Sequence, residues 1–448
     1  MDLLKALSPT NLKFNRTIWL KIHLYLALSV GFLFALLGLT GSLCVYQEQI
    51  DQFLNPELTI EPIDAPYQSL DKILASIQMA HPQRSGSWTL ELPTTQQGVI
   101  TAWFDKPQET FFENYAPLMV AINPYTAEII KSRLWGRTFS TWILNLHSQL
   151  LLDDLGTSIV GVLGILLSFS IGTGLYLWWP GFQGIWQALK VNPNAGIMRL
   201  AFDLHRWLGL VSALVLIILC ITGILLSYPK LSASLFGAAG MEHGQTGKTI
   251  ISTAEPNNHP TSITGAVFIA KAPFPKATLR RVTTPVGETG VYRINLKQSS
   301  EINQRHPYTT VWIDRWSGQT KEVRNPAKFS FAQTLNTWIW PVHTGEAFGA
   351  SGRFWWFITG QALFWLYFSG LTLWLFRTNR LKDQKIDYAL FAIKMRHLLM
   401  MLKRWLQTAA VNKIPMLLKQ LNRYQPLIQQ YSIHFWRQLR KIFSSLKP

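Results

Sequence analysis

The chain has 448 residues, 48% hydrophobic and 13% aromatic, with 42 Lys/Arg against 24 Asp/Glu and a formal net charge of +18. Two cysteines exclude a disulfide-stapled scaffold. Of the excess, +13 lies in residues 377–448, behind an apolar segment, which points to anionic lipid and away from nucleic acid.

In chain order, residues 18–46 form the first apolar window of bilayer-spanning length, with Trp19 and Tyr46 at its ends and Lys5, Lys13, Arg16 and Lys21 before or within its start. It is longer than a signal-peptide core, and no Ala-x-Ala-like site follows before Gln47, so it is expected to be retained. Residues 47–137 carry 6 Lys/Arg and 11 Asp/Glu, as suits the outer side. Helical periodicity over residues 68–79 (Leu70, Ile73, Leu74, Ile77) precedes expected strands at 87–92, 99–104 and 119–122. The second span is 158–179, ending in Trp178 and Trp179, and the short 180–204 connection with Lys190 and Arg199 reads as inner. The third span is 208–228, flanked by Trp207 and Tyr228. Residues 230–260 read as a connector, followed by a helix at 262–270 and strands at 278–282, 291–296 and 309–313. The fourth span is 354–376, with Trp355 and Trp374 near its ends. In the tail, Leu398, Met401, Leu402, Trp405 and Leu406 share a helical face, which predicts an amphipathic helix on the inner leaflet. Cys44 and Cys220 fall inside spans and read as packing residues.

The expected fold is a mainly α membrane protein with four spans and two small α+β outer segments. Its segments are 1–46 (first span), 47–140 (outer), 141–179 (second span with an outer extension) and 180–204 (inner). There follow 205–228 (third span), 229–340 (outer), 341–376 (fourth span with an outer extension) and the tail 377–448. The two halves match. His23 precedes Thr40-Gly41 by 17 residues and His205 precedes Thr222-Gly223 by 17; His147 precedes Thr173-Gly174 by 26 and His343 precedes Ser369-Gly370 by 26. A Thr-Trp-Ile stands five residues ahead of both later histidines, at Trp142 and Trp338, and Gly-Leu-x-Leu-Trp recurs from Gly174 and Gly370. Strand–turn–strand patterns recur at 120–130 and 311–321. Two spans per half make a parallel repeat about an axis along the membrane normal. That symmetry pairs His23 with His205 on the inner side and His147 with His343 on the outer side.

Histidine within a membrane is a functional-site candidate, and two imidazoles in an apolar bundle suit the axial positions of haem iron. Two b-type haems are expected, inner on His23/His205 and outer on His147/His343. Arg206 is a candidate for a haem propionate or a positive-inside residue. Gly41, Gly174, Gly223 and Gly370 would admit a macrocycle or pack helices. The 26-residue spacing is the difficulty: in a straight helix it covers about 39 Å, beyond the apolar slab. Either the helices run past the membrane, or they break at 153–156 and at 345–352 and return the histidines to the bundle. The remaining histidines show no metal-ligand spacing, and no Walker loop or GxGxxG is present, so electrons must come from a separate donor.

Across residues 10–380 the chain resembles the PepSY-associated transmembrane family. The early-helix His23, Leu146-His147, Asp203-x-His205-Arg206, His343-x-Gly345, the Thr/Ser-Gly pairs and the two Asn/Asp-centred turns carry the resemblance. Ser148 stands where many members have a basic residue. Relatives include bacterial inner-membrane di-haem reductases that release iron from ferric siderophores. The resemblance thus implies a haem-dependent ferric-siderophore reductase with both termini cytoplasmic, the siderophore in the periplasm and an unidentified cytoplasmic or membrane donor. Trp135, Trp316, Trp338 and Trp340 would wall the acceptor site. A non-enzymatic periplasmic binding role and a siderophore permease are the alternatives.

Overall fold

The computed structural model describes residues 9–192, 196–238, 250–253 and 259–381, with His397, Met400 and Met401. The amphipathic tail expected over 382–448, His243 and His434 lie outside the described residues, apart from His397, Met400 and Met401.

The helices in chain order are α1 (Pro9–Val45), α2 (Gln47–Leu54), α3 (Leu70–Ala80), α4 (Phe139–Gln149), α5 (Asp153–Trp178) and α6 (Ile185–Ala188). After these come α7 (Ile197–Ser227), α8 (Pro229–Leu235), α9 (Ile263–Lys271), α10 (Phe331–His343) and α11 (Gly349–Arg377). Among the described residues three are long and apolar enough to cross a membrane: Arg16–Val45 within α1, Asp153–Trp178 and Ile197–Ser227. Their outward faces carry large apolar side chains such as Phe32, Ile165, Val211 and Leu214, as suits lipid rather than water. α11 has 29 residues and lies along α1. Its Trp355, Trp356, Trp365, Tyr367 and Trp374 make it less uniformly aliphatic than the other three.

Small residues set the α1–α11 contact. A Cβ at Gly38 would stand 2.5 Å from the Gly360 carbonyl oxygen, and one at Gly360 would stand 2.3 Å from Ser42 Oγ. Ser42 Oγ donates to the Phe357 carbonyl at 2.9 Å. Such close backbone approach and an interhelical hydrogen bond hold the two helices by packing at small residues.

α7 begins at Ile197, inside the segment expected to be an inner loop, so His205 sits two turns into a helix instead of at its start. The 26-residue spacing is resolved by breaks. α4 ends at Gln149, and Leu150 (φ 49°), Leu151 (φ 59°) and Asp153 (φ 53°) turn the chain into α5. A left-handed backbone at non-glycine residues is costly and survives where the surroundings over-determine it. Gly156 makes the reversal possible, because a Cβ there would stand 1.6 Å from the Gln149 carbonyl oxygen. In the second half, α10 ends at His343, and Gly345 (φ 75°) and Gly349 (φ 65°) lead into α11. A Cβ at Gly352 would stand 2.4 Å from Phe348 Cβ and 2.6 Å from the Gly345 carbonyl oxygen. Gly156 and Gly352 each stand nine residues after a histidine. The straight outer extensions of the 141–179 and 341–376 segments are therefore replaced by separate helices.

The strands are β1 (Thr89–Glu91), β2 (Ile100–Phe104), β3 (Leu118–Ile122), β4 (Ile129–Leu134), β5 (Thr278–Thr283), β6 (Val291–Lys297), β7 (Thr309–Asp314) and β8 (Thr320–Arg324). They form one antiparallel sheet in the order β4-β3-β2-β1-β5-β6-β7-β8. Residues 47–140 and 229–340 thus share a sheet, joined where β1 pairs β5 through Thr89↔Thr283, Leu90↔Val282 and Glu91↔Arg281. α3 and α9 cover one face, and Ile73, Ile77, Leu90, Ile100, Val120, Ile263, Ile294 and Val311 form a continuous core there. Asp71 of α3 accepts from the first amides of α9, Ile263 N at 3.0 Å and Thr264 N at 3.2 Å, which caps that helix and ties the modules together.

Candidate functional site

The four repeated histidines meet as two pairs. The rings of His23 (α1) and His205 (α7) have centres 6.4 Å apart, and those of His147 (α4) and His343 (α10) 6.3 Å apart. α1 carries His23 at one level and Leu37, Thr40 and Gly41, which touch His147, 14–18 residues further on, so the levels are about 21–27 Å apart along the helix.

Each ring is seated by a Thr/Ser-Gly pair, and the seating is crossed. Thr40-Gly41 of α1 holds His147, while Thr173-Gly174 of α5 holds His23. Thr222-Gly223 of α7 holds His343, while Ser369-Gly370 of α11 holds His205. A Cβ would stand 2.6 Å from His147 Cε1 at Gly41, 3.3 Å from His23 Cε1 at Gly174, 3.2 Å from His343 Cε1 at Gly223 and 3.3 Å from His205 Cε1 at Gly370. The glycines therefore make room for imidazole edges.

The hydroxyls settle the tautomer. His147 Nδ1 reaches the Leu37 carbonyl at 3.0 Å, and His205 Nδ1 reaches the Leu366 carbonyl at 3.0 Å. A carbonyl only accepts, so both Nδ1 atoms carry the proton. Thr173 Oγ1 donates its own proton to the Ser170 carbonyl and Thr222 Oγ1 to Ile218, so each accepts from its histidine, His23 at 2.9 Å and His343 at 2.9 Å. All four Nε2 atoms are left with a lone pair, the tautomer that binds a metal when the other nitrogen is held by the protein.

An iron porphyrin fits this donor set. An imidazole nitrogen that holds a metal lies about 2 Å from it, so two imidazoles sharing one metal would have ring centres about 6 Å apart. Both pairs match that separation. Among the described residues no group of three or more His, Cys, Asp or Glu is placed to hold an ion. Two neutral imidazoles per level suit a metal whose remaining positions a macrocycle fills.

Arg206 donates to Asp203 Oδ1 at 3.1 Å and to the Lys190 carbonyl at 3.1 Å. Asp203 is buried and also accepts from Asn192 N at 3.0 Å. Arg206 thus orders the loop–helix junction beside His205. Ser148, next to His147, donates back to the Leu144 carbonyl at 2.8 Å. The four tryptophans sit in three different parts of the fold. Trp135 donates to Asn145 of α4 at 2.9 Å and packs on Trp103 and Tyr115. Trp316 lies on the β7–β8 turn beneath Arg315, Trp338 is exposed on α10, and Trp340 lies one turn before His343. The sheet reaches the site's supports through Arg133, which pairs with Asp51 of α2 at 2.9 Å; Asp51 also accepts from Ser140 Oγ of α4 at 2.9 Å.

The Leu37 and Leu366 carbonyls escaped the sequence reading, whereas Gly156 and Gly352 close the two segments at which it offered a break. Only the glycines had a legible signal, their shared offset from the histidines. A family model described as the PepSY-associated TM region matches residues 20–377. No individually curated protein matches the chain.

Proposed function

The chain belongs to the PepSY-associated TM region family, and from that premise we propose that it is a di-haem b-type reductase of the bacterial inner membrane. It passes electrons across the bilayer to a periplasmic ferric siderophore and releases the iron as Fe²⁺. In this reading α11 is a fourth span and the two halves are a parallel repeat about an axis along the membrane normal. Both termini are cytoplasmic, and the basic tail rests on anionic lipid.

The observation that carries the proposal is the meeting of four histidines, each with its Nδ1 held by the protein, as two pairs with ring centres 6.4 and 6.3 Å apart. His23 and His205 would hold the inner haem, His147 and His343 the outer one. Bound iron porphyrin supplies a one-electron couple at each level. The protein's part is to fix each imidazole through its Nδ1–H, keep Nε2 deprotonated and exclude water with the surrounding helices. Electrons enter at the inner side from a separate cytoplasmic or membrane donor. Ferric iron held by hard oxygen donors is the acceptor class, because Fe²⁺ binds such donors more weakly and leaves.

Anaerobic mixing of the dithionite-reduced protein with a ferric hydroxamate or catecholate, with a ferrous chelator present, tests the activity. Reoxidation of a b-type spectrum with stoichiometric Fe²⁺ capture is expected. A fully reduced protein that is never reoxidised would remove these acceptors from the proposal.

A further inference from the structure

Buried indole N–H groups almost always find an acceptor. Among the described residues, the buried and unpartnered ones are those of Trp88, Trp178 and Trp340. Trp88 lies in the core of the sheet layer, against Phe104. The other two sit on the helices that build the histidine levels. Trp178 follows Gly174, which backs His23, by four residues on α5. Trp340 precedes His343 by three residues on α10. Residues three or four apart share a helix face, so each indole is one turn from the contact that defines its level. Beside Trp178, Arg16 of α1 donates to the Leu177 carbonyl, which adds a fixed cation at the inner level.

Resting on the haem reading above, we propose that Trp178 and Trp340 donate their indole N–H groups to the carboxylates of the porphyrins held at the inner and outer levels. One donor per level is what a propionate-bearing macrocycle needs to be set in a single rotational orientation between its two imidazoles. An N–H with no protein partner at both levels is open to an acceptor that the protein itself does not supply. Arg206 Nη2 is tied to Asp203 and to the Lys190 carbonyl, while its Nε is buried without a partner.

The test uses the full chain in detergent, cleared of porphyrin and titrated with iron protoporphyrin IX or with its dimethyl ester, which lacks the charged carboxylates. Soret absorbance is the readout. The unaltered protein is expected to take two equivalents of the free acid. Trp178→Phe and Trp340→Phe should each weaken one equivalent by about tenfold or more and leave ester binding unchanged, the loss expected of one hydrogen bond to a charged group. Trp178→Gln and Trp340→Gln, which keep an N–H, should retain the preference for the acid. Equal weakening of acid and ester would mean a packing role and overturn the inference, as would Phe variants that bind the acid normally. If the unaltered chain takes up neither porphyrin, the haem reading itself falls and this inference with it.

Discussion

Gly41→Ala is the sharpest perturbation of the crossed seating. The new Cβ would stand 2.6 Å from His147 Cε1, where ordinary contact begins at 3.4 Å, so the ring must retreat by about 0.8 Å. His147 Nδ1 bonds the Leu37 carbonyl at 3.0 Å and Thr40 Oγ1 at 3.3 Å. A retreat of that size stretches both past hydrogen-bonding range and leaves a buried donor unpaired, at about 1–3 kcal/mol. Loss of an outer partner of a metal-ligating histidine typically costs about 10–100-fold in metal affinity. The expected result is a protein that keeps its inner haem and binds the outer one at least about tenfold more weakly. Gly223→Ala, with its Cβ 3.2 Å from His343 Cε1, needs a retreat of only about 0.2 Å and should be far milder. Haem-to-protein ratio with difference spectra decides it, the outer haem being identified as the one lost in His343→Ala. Unchanged outer-haem affinity in Gly41→Ala, or a harsher effect from Gly223→Ala, would refute the reasoning.

Thr173→Val removes the acceptor for His23 Nδ1–H and should destabilise the inner haem by about 1–3 kcal/mol, whereas Thr173→Ser should restore it; redox titration of the inner component reads both. Gly156→Ala should abolish accumulation of folded protein or its outer haem, because the Cβ would stand 1.6 Å from a carbonyl oxygen; size-exclusion profile and haem content measure this. Asp71→Ala should lower the melting point of the sheet layer by removing the acceptor for the first two α9 amides, a loss of about 1 kcal/mol followed by circular dichroism. At the β7–β8 turn, burial pushes the Asp314 carboxyl up. Hydrogen bonds from Ser317, Trp316, Lys321 and Thr253 outweigh that and bring its pKa from an ordinary 3.8 down to about 2. A depressed acid stabilises the fold above its unfolded pKa and loses that contribution as pH falls through the folded one. Asp314→Asn should therefore cost about 2 kcal/mol at neutral pH, and the gap should close by about pH 2 in melts across that window.

Much of this layout was readable in advance. β1–β3, β5–β7, α3 and α9 fall within a residue or two of the apolar alternation and periodicity that predict them, while β4 and β8 begin inside the expected strand–turn–strand patterns and run past their ends. The paired spacings of 17 and 26 point to the right histidine partners. What spacing cannot convey is which helix a motif packs against. Thr40-Gly41 follows His23 in sequence yet seats His147, because a residue count fixes distance along one helix and says nothing of its neighbour's face. The break after α4 was offered at 153–156 as one of two alternatives and falls just before it, because its left-handed residues include Leu150 and Leu151, where turn chemistry would place Gly or Asn. The joining of two modules into one sheet was silent, since β1 and β5 are short edge strands until they meet.

The central claim is two haems, each on its own histidine pair. A reduced-minus-oxidised spectrum with haem quantitation of the purified chain and of His23→Ala and His147→Ala tests it. The account predicts a b-type signal with two haems per chain, each single variant losing one, and the double variant losing both. A chain without that signal, or a double variant retaining two haems unchanged, would contradict it.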